Sequence, residues 1–521
     1  MTQISNLFTT RQEQIIPVEG SVKGIIPTWL EGKLLRIGPG NWLDSGEDFS
    51  MANYFDGFAM VSKFDIKNGK VSYCQRMIES ESYQKAKIVK RPVFAEFGTH
   101  AYPDTTKGFL FRMFSTLVPT DLTDNNIAAI YRIEDEMIIS SQTCFVHSID
   151  VDSLATKERH DLMKSSGTMF TTAHPLTDSD GNSWNIGATM LTGCKYHLIK
   201  IPFIGSGKAS DALKSSKVIA TIQSSWKTCL SFISSFAMTE NYVIFMESPL
   251  LINCVKLAQL QIKHFALRDT FEWTPSEKNR FIVVEKETGN VIKTRFISDL
   301  PFFSIHHCNA FERDDQVVVD LIGYPNANIL DKFNMSNLRQ NQFSSADPPQ
   351  TYRFVIPLIH YVVDVTEGEN LVTIPDVTAT AIKSGDAIVL KPQQIAEPGL
   401  ELPVINARFA GKPYKYFYAS GMYGESSFKN SICKINMETG KADLFKVGEN
   451  EYCGEPSFIP KMAFDSDEDD GVVLVPVSCA DSNKLDYLAC LDSKTFLELG
   501  RVEFETKFLQ ALHGIFMWSL K

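Results

Sequence analysis

From Gly32 onward, apolar residues come in short runs rich in Val, Ile, Phe and Tyr, each closed by a polar turn cluster. The runs include KLLRIG, AMVSKFDI, MIISSQTCFVHSI, YVIFMES, RFIVVEK, QVVVDLIGY, KYFYASG, GVVLVPVS and YLACLD, and the turns include DIKNGK, TDSDGN, KETGN and METGK. Runs of this kind at hairpin spacing predict strands, and so many of them predict an all-β closed architecture, a propeller or a barrel. Few helical stretches are expected, chiefly near SEKNR, NANILDKFNMSNLRQ and parts of VKLAQLQIKHFAL. No tryptophan-aspartate or kelch repeat marks out blades and no shift in composition marks a linker, so the reading is one domain, residues 1–521, built around one axis.

One run departs from the plain strand pattern. FFSIHHCNAF, Phe302 to Phe311, sets two histidines side by side in an apolar stretch. Neighbours on a strand point to opposite faces, so at most one of His306 and His307 turns inward. A buried imidazole there is either a core histidine bonded to a backbone carbonyl or a metal ligand, and a ligand needs companions. Two others sit in equivalent settings: His174 in FTTAHPL and His513 in LHGIF each interrupt an apolar stretch beside a Pro or a Gly. At such points a strand ends and a side chain can be aimed at an axis.

Composition narrows the function. A formal net charge of −11 and a pI near 5.5 provide no field for phosphate backbones, which removes nucleic acid from the partners. No window approaches about 18 consecutive apolar residues, and MTQISNLFTTRQEQ lacks the basic start and apolar core of a signal peptide. A cytoplasmic protein is expected, with its scattered cysteines reduced and buried. IGSGKAS, Ile204 to Ser210, mimics a phosphate loop but has Pro202 at the first glycine and Ala209 after Lys208.

Taken in order, RIGPGNW, YFDGFAM, AEFGTHAYPD, TTAHP, NYVIFMESP, HHCNAFERDD, NLVTIPDVTATAI, GKPYKYFYASG, GEPSFIP, DDGVVL and LHGIF resemble the carotenoid cleavage oxygenase family nearly end to end. The likeness is greatest to its animal branch of β-carotene oxygenases, carotenoid isomerooxygenase and retinoid isomerohydrolase. It implies a seven-bladed β-propeller with a cap of loops and short helices over an axial site and an apolar tunnel. It also implies a non-haem Fe2+ held by four histidines, three of them oriented by glutamates. His174, His306 and His513 fall on three ligand positions, and Glu401 in LELPVIN and Glu455 in CGEPSF on two glutamate positions, where they would bond His306 and His513.

The fourth ligand position falls on Ser234 in LSFISSFAMTENYVIFMES, and its glutamate position on Gln142 in SQTCF. On that resemblance the two departures belong together, because a carboxylate left without its imidazole is a buried charge with no partner. Phe55 and Phe97 match aromatic positions near the tunnel, and Asn53 stands where relatives often carry a histidine. Leu250 to Leu267 matches the segment by which relatives dip into membranes, implying a peripheral membrane contact.

The ligand count and the resemblance together lead to a protein that binds a carotenoid, apocarotenoid or retinoid without efficient cleavage, with Fe2+ absent or weakly held. The alternative is an Fe(II)-dependent carotenoid cleavage dioxygenase working with three histidines, since three neutral imidazoles hold some divalent metals while water fills other positions. A third reading is isomerisation or hydrolysis of a retinoid ester.

Overall fold

The computed structural model describes residues 3–44, 49–105, 122–344, 346–421, 430–461 and 466–519. The apolar runs form seven main sheets of four to six strands and a smaller three-stranded sheet. Pairing is antiparallel except where Arg295–Ser298 runs parallel to Ala387–Lys391. Strands of successive sheets touch in turn: Ala237–Met238 meets Phe303–Arg313, which meets Leu400–Ile405, then Ser457–Pro460, His513–Trp518 and Ala129–Ile133. This is the expected seven-bladed propeller.

Two strands explain why the sequence shows continuous apolar runs rather than alternation. Gln316–Tyr324 and Gly471–Cys479 are buried at every position. Each is a middle strand with a neighbouring blade on both faces, so neither face can be polar. Between blades lie separate apolar clusters, one of which joins Leu34 and Phe64 to Leu474, Leu488 and Val502. Each such side chain contributes about 1.5–3 kcal/mol on burial.

Segments near both chain ends close the ring. Gln14–Glu19 pairs with Lys70–Met77, Ser21–Gly24 pairs with Glu498–Phe504, and His513–Trp518 pairs with Gly32–Asn41. Edges that would otherwise be free to recruit another chain are thereby paired.

The helices follow the sequence in part. Ile329–Lys332 and Met335–Arg339 fall within NANILDKFNMSNLRQ, and Cys254–Ala258 and Leu260–Lys263 within the third predicted stretch or at its edge. SEKNR is not helical. There Glu277 N–H donates to Thr274 and buried Asn279 bonds the Phe302 carbonyl at 2.8 Å, which turns the chain into the strand Arg280–Glu285. An unpredicted helix, Glu81–Val89, begins at Ser80, whose hydroxyl accepts from Tyr83 N–H as an N-cap. MIISSQTCFVHSI forms two strands, Glu136–Ser140 and Phe145–Ile149, and the turn between them carries Gln142 toward the axis.

Candidate metal centre and cavity

His174 lies in the turn after Phe170–Thr171, His306 within Phe303–Arg313, and His513 at the start of His513–Trp518. The fold brings the three together, with one ring nitrogen from each within 4.8 Å of the others. Ring centroids stand 4.5 Å apart for His174 and His513, 5.0 Å for His306 and His513, and 5.3 Å for His174 and His306. Register shifts in the pairing of Phe303–Arg313 bracket His306 and His307, and a bulge there re-aims side chains that strict alternation would misplace. His307 is the neighbour that turns away, but it does not face solvent: its Nδ1 lies 2.8 Å from the Ser235 hydroxyl.

Two carboxylates fix two of the rings. Glu401 Oε2 lies 2.6 Å from His306 Nδ1, and Glu455 Oε1 lies 2.7 Å from His513 Nδ1. Glu401 also accepts from Leu402 N–H at 2.6 Å and from the Tyr324 hydroxyl at 2.8 Å. Glu455 accepts from Gly514 N–H at 3.0 Å and Arg36 at 3.3 Å. Burial pushes both carboxyls up, but the imidazoles and these donors outweigh it and hold both below the usual carboxylate range. Burial likewise pulls His513 down and, with its two neighbours, holds His174 well below the ordinary imidazole value.

Each carboxylate takes the Nδ1 side of its ring, which leaves Nε2 of His306 and His513 turned inward as the available ligand atoms. The Nε2 atoms of His306 and His513 stand 3.2 Å apart. A gap of that size is bridged by a shared proton or by a metal ion. Two nitrogens bound at right angles to one ion at about 2.1 Å stand about 3 Å apart, so the donor set fits a transition metal.

The cluster opens into a cavity of about 230 Å3 whose walls are mostly apolar and aromatic. Phe55 and Phe97 both line it, with ring centroids 5.8 Å apart. Sequence reasoning missed the rest of the aromatic wall, which runs from Phe333 to Phe55, Phe97, Phe271, Phe232, Phe303 and on to Tyr324 at centroid spacings of 4.9 to 6.2 Å. The chain of rings ends on the residue that bonds Glu401. Ser234 and Gln142 line the same cavity. Asn53 instead caps the turn Tyr54–Asp56, its side chain accepting from Phe55 N–H and donating to Asn334 at 3.1 Å. Within 250–267, Ile252, Leu257 and Leu267 line the cavity while Val255 and Ile262 are more than half exposed. Among the described residues no helix is long and apolar enough to cross a membrane.

Residues 7–518 match the family model described as retinal pigment epithelial membrane protein. The chain is 34% identical over 517 residues to β,β-carotene 15,15'-dioxygenase of Rattus norvegicus, covering 97% of this chain and 90% of that one. It is 34% identical over 532 residues to the mitochondrial carotenoid-cleaving dioxygenase of Mustela putorius furo, covering 99% and 96%. Among solved structures it is similar to the cobalt-substituted apocarotenoid oxygenase of Synechocystis, with a TM-score of 0.78, 21% identity and 99% of each chain covered. With its propeller, its histidine cluster and this end-to-end likeness, the chain belongs to the retinal pigment epithelial membrane protein family, the carotenoid cleavage oxygenases.

Proposed function

We propose that the protein is a non-haem Fe(II) dioxygenase that opens a double bond of a carotenoid or apocarotenoid, with residues 1–521 acting as one catalytic domain. The observation that carries this reading is the convergence of three imidazoles, two of them braced by ionised carboxylates, on the wall of an apolar aromatic cavity. The ligand count alone favours a non-cleaving binder. The braced cluster and relatives named as dioxygenases support the enzyme.

His174, His306 and His513 would hold the iron, the last two through Nε2. Iron bound there supplies the activation of O2 for the cleavage. Glu401 and Glu455 fix the tautomer and direction of their imidazoles and raise ligand basicity. The aromatic wall, with Phe55 and Phe97, binds the polyene by burying its apolar faces and excludes water from the reacting bond. Val255 and Ile262, exposed beside cavity-lining Leu257, suit a peripheral membrane contact through 250–267 on a protein that we take to be cytoplasmic.

The second reading, a binder that cleaves slowly, rests on Ser234 and Gln142. A serine hydroxyl is a poor substitute for an imidazole donor, and both residues line the cavity that the three histidines also line. Iron analysis of freshly purified protein, with product analysis after incubation with β-carotene and an apocarotenal, separates the two. Stoichiometric iron and cleavage sustain the enzyme; a coloured, iron-poor protein that forms no product sustains the binder.

A further inference from the structure

The ionisable side chains on the cavity wall fall into two groups. His174, His306, His513, Glu401 and Tyr324 belong to the metal centre. Glu96 does not. It lines the same cavity, is 3% exposed, and among the described residues no Lys, Arg or His pairs with it. On a wall that is mostly apolar and aromatic, a buried acid without a cation is out of place. Phe97 follows it, and the N–H groups of Leu267 and Arg268 hold the carbonyls of Glu96 and Phe97 at 3.0 and 2.7 Å. From Phe97 the row of rings leads through Phe271, Phe232 and Phe303 to Tyr324. A ligand lying along these rings therefore meets Glu96 with a different part from the one that meets the histidines.

The surroundings of the carboxyl leave one hydrogen-bonding position open. Oε1 lies 2.7 Å from Thr123 Oγ1, whereas Oε2 has only Asn125 Nδ2 at 3.4 Å, an amide that also reaches the Gly57 carbonyl at 3.1 Å. Burial, with Asp56 and Asp124 close by, pushes the carboxyl well above the usual carboxylate range, so it carries a proton near neutral pH. Ser82 gives its hydroxyl hydrogen to Asp124 at 2.6 Å, and Arg159 pairs with that acid at 3.3 Å. Thr123, 3.0 Å from Ser82, then has two ways to place its own hydrogen. Given to Glu96, it leaves the acid proton on Oε2 as a donor. Given to Ser82, it lets Thr123 accept from Oε1–H and leaves Oε2 as a carbonyl acceptor. A hydroxyl suits both arrangements, a carbonyl oxygen suits only the first, and a hydrocarbon suits neither. A water would satisfy Oε2 but turn its second hydrogen toward an aromatic wall; a hydroxyl carried on a polyene has one hydrogen and covers the rings with its own body.

We propose that Glu96 is a specificity-determining residue whose Oε2 hydrogen-bonds a hydroxyl at the end of a polyene, so that the cavity takes polyene alcohols in preference to hydrocarbon carotenes. This rests on the reading that the cavity holds a polyene, but not on iron or on cleavage.

Zeaxanthin and β-carotene share one skeleton and differ by a hydroxyl on each ring. Titration of the full-length protein with each, followed by the absorbance of the polyene, should give a Kd about tenfold lower for zeaxanthin, the scale of one well-made neutral hydrogen bond. Glu96→Leu should bring the two values together, chiefly by weakening zeaxanthin. Infrared difference spectra supply a second measurement should that variant fail to fold. The C=O stretch of the protonated carboxyl, identified by its absence from Glu96→Gln, should shift on addition of zeaxanthin and stay in place with β-carotene. Equal affinities in the unmodified protein, a preference that survives Glu96→Leu, or a band that zeaxanthin leaves unmoved overturns the proposal. A zeaxanthin preference in an iron-poor protein that forms no product would sustain it while the dioxygenase reading falls, and binding of neither polyene would overturn it together with the reading of the cavity.

Discussion

At the scale of single residues, Ser234 and Gln142, which both line the cavity, are the sharpest test of how the site works. An imidazole placed at Ser234 alone would lack a carboxylate to orient it, and such braces are worth ~10 to 100-fold in metal affinity or activity. Ser234→His alone should therefore change iron content little, whereas Ser234→His with Gln142→Glu should raise it well beyond either single change. Iron content across the four proteins decides; a full gain from Ser234→His alone would show that the brace is dispensable. Asp56 provides a separate test, outside the histidine cluster. Burial pushes its carboxyl up to about 6, although Gly98, Thr99 and Asn53 all donate to it. A raised folded-state value means stability that is fully present below the unfolded value and lost as pH rises through the folded one. Between about pH 4 and 6 the wild type should thus lose about 3 kcal/mol relative to Asp56→Asn, measured by denaturant unfolding. A constant difference across that window would show that Asp56 ionises normally. What the sequence displayed at this scale was uneven. His306 was legible because two histidines in an apolar run break its pattern. Tyr324 was not, because a tyrosine closing QVVVDLIGY reads as core, and its bond to Glu401 spans 77 residues between blades.

At the scale of elements, the site residues occupy irregular points of regular strands. Pairing slips around His306 and again just after Glu401, and Leu402 has φ of 56° with its N–H on the Glu401 carboxylate. Strict alternation assigns His306 and His307 to opposite faces, but it cannot locate a bulge, which depends on the partner strand. SEKNR failed for a related reason: the fate of Asn279 is set by the Phe302 carbonyl, 23 residues away. Gly514 shows how tightly one such point is built. A Cβ there would stand 2.4 Å from Arg36 Cδ and 2.6 Å from the Leu35 carbonyl, with no room to retreat inside a paired strand. Gly514→Ala should cost about 1–3 kcal/mol by overpacking and displace His513 and Glu455 together. Thermal unfolding and iron content should both fall; an unchanged iron content would separate the packing of this strand from the metal site.

At the scale of the whole molecule, closure of the ring and completion of the site depend on the same strand. His513–Trp518 brings His513 to the axis and pairs with Gly32–Asn41. Its alternate side chains serve two blade interfaces: Ile515 and Met517 pack on the cluster of Leu35, Val61 and Ile139, and Phe516 and Trp518 on that of Leu34, Phe64 and Val502. Nothing local in LHGIFMW announces this, because the strand's partners lie near the other end of the sequence. A chain ending at Ala511 would expose both clusters and the edge of Gly32–Asn41 at once, and would remove one histidine of the cluster. It should lose the cooperative thermal transition and retain little iron. A peptide of residues 512–521 added in trans can pair only with that opened edge, so it should restore part of the transition and part of the iron together. Calorimetry and metal analysis with and without the peptide check both halves. A truncated chain that melts cooperatively near the full-length midpoint would show that the blades hold the ring without this strand, and would remove the link between closure and the metal centre.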